Sequence, residues 1–266
     1  MDGVPRDSVP VSDRGLAYGD GLFETIAVHN GKPLRWEGHW RRLEAGCVRL
    51  RIPLPDPVVV RAEIDALSAG RSRAVVKLIL TRGPGGEGYA PPLQPEPLRI
   101  VLRRPWPAFR REALRLRVCR TRLGNNPVLA GIKHLGRLEQ VLARSEWGNE
   151  YDEGIVLDVN GAVIECTASN LFLWSRDGVL RTPALDGCGV AGVMREAVME
   201  TATRLGIAVR VDRFGLEAVE TAAGLFITNA VTGPRWVAQV GPWHYPKPSC
   251  MEPLCQGLEP AGGVSG

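Results

Sequence analysis

Lys133 follows the small apolar run Ala130-Gly131-Ile132 and stands at the head of an amphipathic stretch. A lysine held in a dry pocket has its ammonium pKa lowered by desolvation, which is what a Schiff-base or proton-abstracting amine needs. The same pattern fits a solvated lysine at a helix start, the commoner arrangement, and local spacing leaves both open. Glu165 ends the apolar run Ala162-Val163-Ile164 and precedes small residues through Ser169, so its carboxylate suits either a ligand nitrogen or solvent at a hairpin end. The glycine-rich run Asp186 to Gly192 leads into an expected helix at Val193. Its backbone N–H groups and the positive end of the helix dipole suit a phosphate, or the run is an ordinary connection. Arg42 stands one residue off the buried stripe of an early helix, and Arg82 and Arg122 each follow an expected strand. Their guanidinium groups fit a phosphate and substrate carboxylates respectively, or solvent.

The elements that must hold these groups are partly legible. Trp36, Trp40, Leu43, Cys47 and Leu50 recur at helical spacing and predict a helix over 36–50. Strands are expected at Val75–Leu80 and Arg99–Leu102, with the loop Arg82-Gly-Pro-Gly-Gly-Glu-Gly-Tyr89 between them, whose glycines allow close backbone approach. Pro105, Pro107 and Arg110-Arg111-Glu112 interrupt the pattern, giving a small α+β domain over 1–108 and a larger cofactor domain over 109–241. In the second, a strand at Leu114–Cys119 precedes a helix from about His134 to Trp147, with Leu135, Leu138, Val141 and Leu142 as its buried stripe. A hairpin spans Ile155 to Glu165, with Asn160-Gly161 expected to fill both positive-φ positions of a type I′ turn. A second hairpin runs Leu171–Trp174, Asp177-Gly178, Val179–Arg181. A helix Val193–Leu205 should stop at a left-handed Gly206, and strands Ile207–Val211 and Leu225–Thr228 close the domain. The Pro- and Gly-rich tail, 242–266, is expected to be poorly ordered. Hairpins interleaved irregularly with helices argue for an α+β fold.

Composition narrows the function. The 266 residues are 44% apolar and 23% charged, with a net charge of +4 and dispersed arginines, which argues against a nucleic-acid binder and for a small-molecule substrate. No run reaches the length of a membrane helix, and residues 1–10 lack a signal peptide's apolar core, so a cytoplasmic, non-membrane protein is expected. Six dispersed cysteines read as reduced thiols, and four histidines without metal-ligand spacing argue against a metal site. There is no GxSxG or GxxxxGK[ST], and no GxGxxG follows a strand and opens a helix in a βαβ unit, which sets aside the common hydrolase, P-loop and dinucleotide sites.

Five segments, in order, are Asp13-Arg-Gly-Leu-Ala-Tyr-Gly-Asp-Gly-Leu-Phe-Glu-Thr25, His39-Trp-Arg-Arg-Leu43, Ala130-Gly-Ile-Lys-His-Leu-Gly-Arg-Leu-Glu-Gln140, Glu165-Cys-Thr-Ala-Ser-Asn-Leu-Phe172 and Asn229-Ala-Val231. Together they resemble the fold-type IV pyridoxal-phosphate enzymes, the branched-chain and D-amino-acid aminotransferase-like class, over about 9–240. Within the class, Ile132 to Gln140, Arg82 to Tyr89 and Arg122-Leu-Gly-Asn-Asn-Pro127 are most similar to the lyases that convert 4-amino-4-deoxychorismate to 4-aminobenzoate and pyruvate in folate synthesis. An aminotransferase on the same fold is the alternative. The resemblance implies a two-domain homodimer binding pyridoxal phosphate, with active sites between the domains and near the partner subunit. It implies Lys133 as the Schiff-base lysine, Glu165 at the pyridine nitrogen and Arg42 at the phosphate, with Val193, Met194, Asn229 and Ala230 completing the cofactor site. Thr25 is expected near the leaving group, and Arg82, Tyr89 and Arg122 near the substrate. Gly136, where the lyase pattern commonly has Asn, and Thr232-Gly-Pro-Arg235, in place of a more apolar stretch, depart from the pattern.

Overall fold

A computed structural model describes residues 1–108 and 112–258. Arg110 and Arg111 of the expected boundary, and residues 259–266 of the expected tail, lie outside the described residues. The chain divides into two compact units. One holds 1–108 together with 132–137, and the other holds the described residues of 112–131 and 138–258. The lysine-bearing segment 132–137 therefore belongs to the first unit, although sequence order puts it in the middle of the second.

The first unit is built from α1 (Arg14–Tyr18), β1 (Gly21–His29), β2 (Lys32–Pro33), α2 (Trp36–Leu50), α3 (Pro57–Ser68), β3 (Arg73–Thr81) and β4 (Leu98–Arg104). Its antiparallel sheet has the order β2-β1-β3-β4. β1 and β3 pair along their full length, from Gly21 opposite Thr81 to His29 opposite Arg73. Strand alternation sends Leu22, Glu24, Ile26 and Val28, with Val76, Leu78 and Leu80, into the core. Phe23, Thr25, Lys77 and Ile79 lie on the other, half-buried face. α2 packs on β1, and α3 on β3 and β4. α2 has the expected bounds, but its buried face is His39, Leu43, Gly46 and Cys47, while Trp36 and Trp40 pair at its margin with ring centroids 5.4 Å apart. α3 starts where Asp56 accepts the Val58 N–H at 2.8 Å and Pro57 takes the first turn.

The second unit contains β5 (Leu114–Leu123), α4 (Leu138–Arg144), β6 (Glu153–Asp158), β7 (Val163–Cys166), β8 (Asn170–Trp174), β9 (Leu180–Pro183), α5 (Val193–Arg204), β10 (Val209–Asp212), α6 (Leu216–Thr221), β11 (Gly224–Asn229), β12 (Gly233–Val240), β13 (Trp243–His244) and α7 (Met251–Leu258). Its mixed sheet runs β10-β9-β8-β11-β12-β5-β6-β7, with β13 on β12. The β9–β10, β12–β5 and β5–β6 pairs are parallel. One core cluster gathers Leu116, Ile155, Leu171, Leu225 and Val237. Another stacks Phe172 on Phe226, centroids 4.9 Å apart, beneath Met194 and Val198 of α5 and Met251 and Leu254 of α7. The α+β class matches expectation. No helix among the described residues is long and apolar enough to cross a membrane.

Three expectations are corrected. The helix expected from His134 begins at Leu138, because the chain before it is extended against β1. The Phe23 N–H donates to the Lys133 carbonyl at 2.9 Å and the Leu135 N–H to the Gly21 carbonyl at 2.9 Å. Its expected buried stripe is outward: Leu138, Val141 and Leu142 are 77%, 60% and 58% exposed, while Ala143 and Trp147 are buried. The turn after β6 is not type I′, since Gly161 has positive φ (87°) and Asn160 does not. The Gly161 N–H donates to the Asp158 carbonyl, and the Asp158 side chain accepts the N–H groups of Asn160 and Ala162. A type I turn closed by a left-handed glycine satisfies the strand twist equally well. Finally, the tail is ordered through Leu258, because Tyr245, Cys250, Met251 and Leu254 bury themselves in the core clusters.

Candidate active site

In the first unit, the half-buried face of the sheet collects amines around one ring. The Lys133 ammonium lies 4.5 Å from the Phe23 centroid and the Lys77 ammonium 4.8 Å from the same centroid. Thr25 is next to Phe23 on this face and opposite Lys77 in register. Burial, and then the charge of Arg104, push the Lys77 pKa down. His134 is pushed down to about 4 by burial and then by Arg137, so its imidazole is neutral at pH 7. The extended run that carries Lys133 is tied by the Arg137 guanidinium, which donates to the carbonyls of His134 (2.9 Å) and Ile132 (3.2 Å).

Arg42 is presented by α2 to Glu24 on the core face of β1. Its Nε donates to Oε1 at 2.8 Å and its Nη2 to Oε2 at 2.5 Å, and His39 Nδ1 lies 2.6 Å from the same Oε2. Burial opposes ionisation of Glu24, yet the charges and hydrogen bonds of Arg42 and His39 more than offset it and hold the carboxyl down at about 2. Glu24 and His39 were not found in the sequence as a pair, because the contact is made fifteen residues apart.

The expected substrate role of Arg82 meets a guanidinium already engaged. It donates to both oxygens of Asp20, at 2.7 and 3.0 Å, and to the carbonyls of Leu50 and Arg51 at the end of α2. Buried at 7% exposure, it is a strut within its unit. Asp20 also accepts from Arg14 Nε at 3.0 Å, and burial, which raises its pKa, is outweighed by the two guanidinium groups, leaving it lowered. Arg14, which the sequence reading passed over, sends its remaining donors to the carbonyls of Gly85, Gly88, Tyr89 and Ala90. It thereby shapes the glycine-rich loop and leaves Tyr89 87% exposed, its ring 5.4 Å from that of Tyr18.

In the second unit, Glu165 sits at the end of β7, paired with Val156 of β6. Its Oε2 accepts the Val190 N–H at 2.8 Å and its Oε1 lies 3.5 Å from Gln140 Nε2. The loop over it is pinned by Gly131, which donates to the Gly189 carbonyl and accepts from the Ala191 N–H. Gly189 has φ +84°, and a Cβ there would stand 2.7 Å from Ile164 Cγ2 and 2.9 Å from Leu185 Cδ2, so the loop needs glycine to pass this close. A Cβ on Gly192 would overlap Asn170 Oδ1, whose own amide donates to the Val190 carbonyl. Gly192 caps α5 without a side-chain acceptor, so the first-turn N–H groups at Val193 and Met194 are presented by the chain with no side-chain cap. Asn229, at the end of β11, accepts from the Val231 and Thr232 N–H groups and braces the turn that carries Ala230. Exposed Arg122 folds one guanidinium nitrogen onto the carbonyls of Cys119, Arg120 and Thr121 of its own strand. Burial raises the thiol pKa of Cys188 to about 12 and that of Cys166 well above the usual range, so both are packing residues rather than nucleophiles.

The first unit offers a half-buried amine, and the second, by itself, a buried carboxylate under a glycine loop and a helix N-terminus without a side-chain cap, of the kind that accepts phosphate. Comparison with known proteins agrees. The family model for amino-transferase class IV matches residues 21–240. An aminodeoxychorismate lyase of Vibrio harveyi is 38% identical over 238 residues, 88% of each chain. The crystal structure of 4-amino-4-deoxychorismate lyase from Pseudomonas aeruginosa superposes with a TM-score of 0.92 at 45% identity, covering 97% of this chain and 96% of that one. The branched-chain amino acid aminotransferase of Escherichia coli gives a TM-score of 0.80 at 26% identity, over 94% of this chain and 88% of that one. With the family model spanning most of its length and these likenesses on both sides of it, the chain belongs to the class IV aminotransferases.

Proposed function

We propose that the protein is a pyridoxal-phosphate-dependent lyase that converts 4-amino-4-deoxychorismate to 4-aminobenzoate and pyruvate. The observation that carries this reading is the 45% identity to the Pseudomonas aeruginosa lyase over 97% of the chain, against 26% to the Escherichia coli aminotransferase. Bound pyridoxal phosphate supplies an aldehyde that captures the substrate amine and a ring that accepts an electron pair.

The chain's own residues do the rest. Lys133 would hold the cofactor, and its amine would take the proton from the amine-bearing ring carbon of the substrate. The Phe23 ring, 4.5 Å from its ammonium, holds that amine in place by a cation–π contact. Glu165 would pair with the pyridine nitrogen and favour its protonated form, and the Val190 N–H fixes that carboxylate. The N–H groups of Val193, Met194 and Ala230, held by α5 and by the Asn229 turn, receive the phosphate. The resemblance assigns Arg42 to the phosphate as well, and within the first unit its guanidinium is held by Glu24. Thr25 donates its hydroxyl to the departing enolpyruvyl oxygen, and loss of that group makes the ring aromatic, which drives the elimination. Arg122 and Tyr89, exposed and on loops or strand ends, are assigned to substrate recognition; Arg82 is not, because its donors are spent on Asp20 and α2. The exposed apolar face of α4 supports a homodimer.

The test is an absorbance spectrum from 300 to 500 nm with pyridoxal phosphate, followed by enzymatically generated substrate and assay of 4-aminobenzoate and pyruvate. A visible band and both products, lost in Lys133→Ala, are expected. A band without product, but with keto acid formed from branched-chain or D-amino acids, refutes the lyase reading.

A further inference from the structure

The half-buried carboxylate of Glu153, at the start of β6, has no part in the chemistry above, yet it is the end point of a connected set of hydrogen bonds. Its Oε1 accepts the Ser169 hydroxyl at 2.6 Å, and its Oε2 lies 3.2 Å from the Ala168 N–H and 3.5 Å from the Thr167 hydroxyl. Those three donors are the whole of the β7–β8 turn, which begins two residues after Glu165. Ser169 Oγ in turn accepts from Asn229 Nδ2 at 3.1 Å. The opposite end of the same amide, Asn229 Oδ1, accepts from the N–H groups of Val231 (3.0 Å) and Thr232 (2.9 Å) and from the Thr232 hydroxyl (3.2 Å).

Every bond in this set points the same way. The turn donates to Asn229, Asn229 donates to Ser169, and Ser169 donates to Glu153. A carboxylate is acceptor-only, so it fixes the hydroxyl rotor of Ser169. The rotor then offers a lone pair to Asn229, and the amide is locked with its oxygen toward the turn. The Val231 and Thr232 donors are thereby committed, and the Ala230 N–H stays outside this set.

We infer that Glu153, acting through Ser169 and Asn229, is a positioning residue that holds the Asn229–Gly233 turn for the phosphate group of the cofactor. The inference rests on the cofactor reading above and goes beyond it in assigning phosphate affinity to a carboxylate that never touches the phosphate. An acid thus strengthens the binding of an anion, because its influence arrives as hydrogen-bond orientation and not as charge.

The test is titration of the full-length apoprotein with pyridoxal phosphate and, separately, with pyridoxal, following the change in cofactor absorbance. Ser169→Ala breaks the chain at its middle, and Ser169→Thr keeps the hydroxyl. Glu153→Gln replaces one acceptor oxygen with a donor that faces other donors. Loss of one hydrogen bond to a charged group is worth roughly a tenfold change. Ser169→Ala and Glu153→Gln should weaken pyridoxal phosphate about tenfold and leave pyridoxal unchanged, with Ser169→Thr restoring the wild-type value. Equal weakening for both ligands, which general loss of packing would produce, overturns the inference, as does no weakening of either. If the wild-type protein itself shows no saturable binding of pyridoxal phosphate, the cofactor reading falls and takes this inference with it. Wild-type binding with unaltered variants removes the inference alone.

Discussion

Replacing Glu24 by Gln preserves its shape and removes its charge, leaving the Arg42 guanidinium against a neutral amide inside the first unit. The wild-type carboxyl is held at about 2, against about 4.5 for a free glutamate, by two bonds from Arg42 and one from His39 that outweigh its burial. That depression corresponds to about 3 kcal/mol of folding free energy at neutral pH. Because the folded pKa is depressed, that stabilisation is complete above about pH 5 and is lost as pH falls toward 2. By the same linkage about 1 kcal/mol remains at pH 3. Urea unfolding of the wild type and Glu24→Gln, each at pH 7 and pH 3, reads the difference while other carboxylates cancel. The expected result is a gap of about 3 kcal/mol at pH 7 that narrows by about 2 kcal/mol at pH 3. A gap of the same size at both pH values would refute the reasoning, since it would mean that the substitution acts through packing and not through the ionised pair.

Two further outcomes follow from particular contacts. Gly189→Ala forces a left-handed alanine, with its Cβ 2.7 Å from Ile164, so the loop should lift off Glu165 and break the 2.8 Å bond from Val190. Pyridoxal phosphate affinity measured by absorbance titration should fall at least tenfold, with the melting temperature of the apoprotein also lowered by the strain, whereas undiminished affinity would dissociate the loop from the site. For the proposed dimer, light scattering should give twice the chain mass for the wild type, and Leu142→Glu on the exposed face of α4 should shift it toward the monomer. Wild-type protein at the mass of one chain would remove that assignment.

Local pattern was sufficient where an element is stabilised by its own residues. α2 has the expected bounds, α5 starts at Val193 and is followed by the left-handed Gly206 (φ +72°), and β8 and β9 flank the Asp177-Gly178 turn. It failed where a distant partner decides. The apolar spacing of Leu138, Val141 and Leu142 correctly marks one side of a helix, but spacing does not say whether this chain or another surface covers that side. Four residues earlier, backbone bonds from Phe23 and to Gly21 hold the chain extended, and nothing near Lys133 in the sequence announces a strand more than a hundred residues away. The ordered tail is a similar case: its proline and glycine content hid an apolar face, Met251 and Leu254, whose partner is α5.

The site divides along the same line. For Lys133 and Glu165 the local pattern left a solvated side chain open as the commoner arrangement, and it was the family motifs that separated them from other lysines and glutamates. Arginines carry no such signal. Arg14, Arg42 and Arg82 are all drawn into the first unit by carboxylates: Arg14 and Arg82 by Asp20, at 3.0 and 2.7 Å, and Arg42 by Glu24. A guanidinium with five donors in a fixed fork serves a buried carboxylate as readily as a substrate's, and the choice is made by which carboxylate the fold delivers. In this chain the choice has a consequence for chemistry. Asp20 immediately precedes β1, and Glu24 lies on the core face of that strand, opposite the face that carries Phe23 and Thr25, so these ion pairs fix the position of the strand. Arg82, expected at the substrate, instead helps to hold the start of the strand that carries Phe23 and Thr25.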